Sequence, residues 1–136
     1  MQVWNHRSNL NSLAEALIDK GETDKAGEVL SFSLSKMSDA AVPYDPSSPD
    51  TVNLLFKAGL KQKAIEVAKV VADRANEIAS FLITDGNTSS YQLRKNIYLL
   101  GAMQRSLLEN GEEKLAMKYD EAYVGLIDRL GKYTPY

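Results

Sequence analysis

Three glycines constrain this chain more than any other feature. Each interrupts an apolar, helix-periodic run, and each is followed five residues later by an alanine. The pairs are Gly21 and Ala26 in "LAEALIDKGETDKAGEVL" (13–30), Gly59 and Ala64 in "LLFKAGLKQKAIEVA" (54–68), and Gly111 and Ala116 in "SLLENGEEKLAMKYD" (106–120). Glycine adopts the left-handed backbone that ends a helix, so the chain turns back within a few residues. A small side chain just inside the second helix lets it approach the first closely. The spacing predicts three helix–turn–helix hairpins, about 6–38, 48–84 and 89–131, in one domain of 136 residues. Strand alternation is nearly absent, so the expected fold class is all-α with six helices.

Hydrophobic periodicity supplies the helix faces. Ala64, Ala68, Val71, Ala75, Ile78 and Leu82 alternate steps of four and three, one face of a long fourth helix. Leu10, Leu13, Ala14, Leu17 and Ile18 mark the first helix, and Val29, Leu30, Leu34 and Met37 the second. The fifth carries Leu93, Ile97, Leu100, Leu107 and Leu108; the sixth carries Leu115, Tyr119, Tyr123, Leu126, Ile127 and Leu130. Ser48 and Pro49 read as an N-cap and first-turn proline for the third helix. Ser89 with Gln92 reads as a capping box before the fifth. Between helices, "VPYDPSSP" (42–49) and "TDGNTSS" (84–90) read as loops.

Composition removes several function classes. A net charge of −2 gives no basic surface for nucleic acid or an anionic membrane. There is no cysteine, hence no disulfide, thiolate nucleophile or Cys-based zinc site. No apolar run approaches the roughly 20 residues that span a bilayer, and "MQVWNHRSN" lacks the basic-then-apolar order of a signal peptide. The chain is expected to be soluble as an isolated domain, with no membrane insertion by this segment.

Candidate chemistry is sparse. His6 is the single histidine and has no matched ligand, so no metal is expected. The carboxylates at Asp19/Glu22/Asp24, Glu112/Glu113 and Asp120/Glu121 read as helix-start or solvated charges rather than an acid–base pair. "GNTSS" lacks the lysine and preceding strand of a phosphate loop. No catalytic residue and no cofactor is expected. Tyr119 and Tyr123 share a face of the last helix and read as core, while "GKYTPY" (131–136) is a tail or a protein contact. In "VPYD" (42–45) two readings of Tyr44 stand side by side: it plugs the gap between the first two hairpins, or it belongs to a recognition loop.

The glycine-to-alanine step of five within antiparallel helix pairs resembles the tetratricopeptide repeat (TPR), a unit of about 34 residues. The turn glycines lie 38 and 52 residues apart, and Leu10, Ser48 and Leu100 stand where the repeat carries tryptophan. The resemblance implies a right-handed TPR-like array of irregular spacing, in which the first helix of each hairpin lines a partner-binding groove. Carried onto this chain, the groove positions are Asn11 and Glu15, Asn53 and Lys57, and Arg105 and Glu109. The set is mixed in charge and favours neither acidic nor basic partners. A narrower resemblance covers about residues 5–85. The order "RSNLNSLAEALIDKGETDKAGEVLSFSLSKM", "VPYD", "LLFKAGLKQKAIEVAKVVAD" resembles the C-terminal region of large multi-spanning bacteroidete membrane proteins related to protein O-mannosyltransferases. That family implies a non-catalytic tail, attached to the membrane through a preceding region, with the extracytoplasmic side favoured.

The expected function is therefore protein–protein interaction or scaffolding. The partner is an unidentified protein or the membrane-embedded part of the same longer chain, and the oligomeric state is left open. The alternatives are a free-standing oligomerisation or adaptor module, and an enzyme with an unfamiliar site.

Overall fold

A computed structural model describes the backbone of residues 3–36, 48–88 and 90–133, and the side chains of 9–35, 49–88 and 90–131. Tyr44 with the rest of its loop, Ser89 and Tyr136 lie outside the described residues, as do the side chains of Trp4, His6 and Tyr133. Among the described residues the chain is entirely helical, without strands. The helices are α1 (Val3–Asp19), α2 (Thr23–Lys36), α3 (Ser48–Lys57), α4 (Lys61–Thr84), α5 (Tyr91–Glu109) and α6 (Glu113–Tyr133).

The turn glycines explain how these helices join. Gly21, Gly59 and Gly111 have φ values of 80°, 81° and 84°. At the first turn the Gly21 amide donates to the Ile18 carbonyl at 2.9 Å and the Glu22 amide to the Leu17 carbonyl at 2.8 Å. The same pair of bonds recurs at Gly59/Leu60 and Gly111/Glu112. This is the Schellman arrangement, which satisfies carbonyls that a helix end would otherwise leave open. The residue after each glycine has a second role. The carbonyls of Glu22, Leu60 and Glu112 accept from the amides of Ala26, Ala64 and Ala116, the first hydrogen bond of the following helix. The step of five thus has a backbone origin, because the alanine is the first residue whose amide bonds within its own helix. All three alanines are essentially fully buried. Gly86, at φ 79°, ends α4 in the same way through Ile83 and Leu82, although the sequence around it reads only as a loop.

The chain divides into two compact units, Met1–Val67 and Ala68–Tyr136. In the first, α1, α2 and α3 pack on one another around Ala14, Ala26, Leu30, Val52 and Leu55. Burying a leucine such as Leu30 or Leu55 contributes about 1.5–3 kcal/mol. Gly27 of α2 faces the Leu60 side chain, which seats the α3/α4 turn against α2. In the second unit α5 packs along α6, and the core holds Ala75, Ile83, Leu100, Met103, Leu107 and Tyr119.

Two local expectations need correction. The N-cap of α5 is Ser90, whose hydroxyl accepts from the Leu93 amide at 3.1 Å, so the cap lies one residue beyond the expected Ser89. In α4 the expected face holds through Ala64, Ala68, Val71 and Ala75, but Ile78 is 36% exposed and Leu82 half-buried, while Ala79 and Ile83 are fully buried. Alternating steps of four and three average 3.5 residues per turn, and a straight helix drifts about 20° from that repeat every seven residues. The buried stripe therefore follows successive steps of four toward the end of α4.

Candidate functional site

Helical spacing places Asn11, Ser12 and Glu15 on one face of α1, and Asp50, Asn53, Leu54 and Lys57 on one face of α3. These seven residues line an open cleft of about 300 Å³ in the first unit. Its base is fixed by a side-chain latch between the two helices. The Asn11 amide nitrogen donates to Thr51 Oγ1 at 2.8 Å, and the Thr51 hydroxyl lies 3.1 Å from Asn11 Oδ1. Both residues are buried, so the latch satisfies polar groups that would otherwise be costly to shield from water. Leu54 is buried and Asn53 half-buried at the wall; Glu15, Asp50 and Lys57 are exposed at the rim. Those three charges make no hydrogen bond or ion pair with a described residue, although both signs occur around one opening.

Of the sequence-derived contact positions, Asn11, Glu15, Asn53 and Lys57 come together here. Arg105 and Glu109 lie exposed on α5 in the second unit, outside this cleft, and Tyr44 falls outside the described residues. Ser12, Asp50 and Leu54 were missed. Asp50 was within reach of the sequence, since it precedes Asn53 by three residues and shares its face. Thr51 carries no sequence signal, because its role depends on which side chain of α1 stands opposite.

The cleft is open and mostly polar. Small-molecule sites run from about 300 to 1,000 Å³ and are mostly apolar and enclosed. This one has the lower volume, an open mouth and a polar lining. Among the described residues no three His, Cys, Asp or Glu side chains are placed to hold a metal ion. The acidic groups singled out earlier are spread over the helices: Asp24 and Glu113 occupy the first turns of α2 and α6, and Glu22 pairs with Lys25 at 3.4 Å on the surface. Among the described residues the one strongly perturbed group is Tyr119. Burial pushes its phenol well above the ordinary tyrosine value, helped by its hydrogen bond to Asp73 and by that carboxylate's charge. The hydroxyl donates to Asp73 Oδ1 at 2.8 Å, a tie between α6 and α4 within the second unit. Tyr123 is half-buried, with its ring against Gly101.

Compared with protein families, curated proteins and solved structures, the chain matches none. No described helix is long and apolar enough to cross a membrane.

Proposed function

We propose that this chain is a non-catalytic protein-interaction domain with a TPR-like arrangement, and that the α1/α3 cleft is where it holds an extended segment of a partner. The observation that carries this reading is the cleft itself: four positions chosen by groove analogy line one polar opening, with uncompensated charges of both signs at its rim. A partner's side chains and backbone amides would complete those charges. The wider setting is the C-terminal tail of a membrane glycosyltransferase-like protein, a reading that rests on the resemblance over residues 5–85. In that setting the domain positions a partner, or another part of its own chain, and takes no chemical step.

Selection of a displayed library of random 12-residue peptides on the purified protein tests the cleft. Enriched peptides should lose at least about tenfold in affinity on Lys57→Glu, because an opposed charge at a contact costs more than 1.4 kcal/mol. Asn53→Ala should weaken them too, while Lys69→Glu, on an exposed position of α4, should not. Failure to enrich any binder, or binders indifferent to Lys57 and Asn53, would contradict the proposal.

A further inference from the structure

Among the described residues the α5/α6 hairpin carries an exposed face of its own. Gly101 lies against the Tyr123 ring, which comes within 3.2 Å of where a Cβ would sit. The tight turn at Gly111 makes α5 and α6 antiparallel, so these two residues stand at one height. Tyr98 and Arg105 lie three residues before and four after Gly101; Asp120 and Ile127 lie three before and four after Tyr123. Such steps keep residues on one helix face. It follows that Arg105 stands level with Asp120, and Tyr98 level with Ile127. All four are exposed, Tyr98 by 52% and Ile127 by 42%. Tyr91 and Arg94 extend the α5 row, and Glu113 and Val124 extend the α6 row, again exposed. Glu109 ends the α5 row four residues beyond Arg105; before it that row is cationic and aromatic, and its neighbour is anionic and aliphatic. Neither Arg105 nor Asp120 makes a hydrogen bond or ion pair with a described residue.

We propose that this face pairs with the same face of a second copy of the chain, about a twofold axis running parallel to the two helices. That axis lays α5 of each copy on α6 of the other without changing height. Arg105 then meets Asp120 of the second copy, and Tyr98 meets Ile127, each contact made twice. A twofold across the helices would instead set α5 on α5 and oppose like charges, which complementarity disfavours. An isologous contact requires a surface that matches itself, and Arg105 beside Asp120 with Tyr98 beside Ile127, each pair at one height, does so. Gly101 contributes by leaving room for the Tyr123 ring between the helices, where a Cβ would come within 3.2 Å of it.

Size sets the expected strength. A helix of 19 residues is about 28 Å long, and two helices side by side are about 20 Å wide. The face therefore offers about 550 Å² per copy, or about 1,100 Å² in total, near the lower limit for a specific interface. Dimerisation should be reversible, with a Kd of about 10–100 µM.

Sedimentation velocity of the full chain from about 5 to about 500 µM tests this. The expected result is a concentration-dependent monomer–dimer equilibrium. Arg105→Glu or Asp120→Arg alone should loosen it at least about tenfold, and the double exchange should restore it to within about threefold. Both sites are exposed, and an unchanged helical circular dichroism spectrum confirms that each variant folds. Monomer alone across the whole range overturns the proposal. So does a dimer that the single reversals leave intact, or one that the double exchange fails to recover.

Discussion

Two kinds of glycine occur in this chain, and they should respond oppositely to alanine. Gly111 sits at φ 84° with no atom within 4 Å of an added Cβ, so substitution there meets backbone strain alone. Gly111→Ala is expected to cost about 1–2 kcal/mol, the penalty for an ordinary residue in the left-handed region. Gly125 lies inside α6 at an ordinary helical φ, also facing open space, and Gly125→Ala should stabilise by about 1 kcal/mol. Urea unfolding of the two variants checks both signs. Tyr119 gives a pH signature. Its proton is held more tightly in the folded chain than in the unfolded one, so its contribution is complete below the ordinary tyrosine value of about 10 and lost as pH rises beyond it. The stability difference between wild type and Tyr119→Phe should therefore be constant from neutrality to about pH 10 and shrink above it. A difference that stays level into stronger alkali would show that the Asp73 bond does not hold the proton.

Elements are where sequence reading succeeded and failed for identifiable reasons. Glycine and alanine at a step of five located the hairpin turns because the step is a backbone constraint, fixed by one Schellman bond and one first-turn bond. Side-chain burial was harder to read. Leu13, Leu108 and Ile127 were assigned to buried faces, yet each is 42–51% exposed beside a buried neighbour, Ala14, Leu107 or Leu126. Adjacent residues point about 100° apart on a helix, so only one of such a pair faces the core, and periodicity alone does not say which. Asn11 was read as a contact residue, and its side chain latches α1 to α3 under the cleft. The clasp at the end of α4 was not legible at all. Arg129 of α6 donates to Ser80 Oγ at 2.7 Å, to the Ser80 carbonyl at 3.3 Å and to Thr84 Oγ1 at 2.6 Å. The contact is 45 or more residues distant in sequence and pairs a cation with neutral acceptors near a helix C-terminus. Arg129→Lys should cost about 1 kcal/mol, because an ammonium lacks the planar fork that reaches all three acceptors. Faster amide exchange in the last turn of α4 would be the accompanying sign.

On the scale of the whole molecule, the proposed roles occupy separate units: a polar cleft between α1 and α3 in one, a self-complementary face on α5/α6 in the other. A cleft that captures a partner segment and a face that joins two copies weakly would together give a bivalent scaffold, for which modest affinities suffice. If the chain is the tail of a larger membrane protein, an antibody raised against it should detect a far larger band in the membrane fraction of the source cells. A band of this chain's own size outside that fraction would count against that setting while leaving the cleft reading intact. The central claim concerns the cleft, and backbone amide shift mapping reaches it most directly. On titration of the ¹⁵N-labelled chain with its tightest selected peptide, the largest shifts should fall on residues 11–15 and 50–57. Shifts centred on any other surface, or none at peptide saturation, would contradict the account.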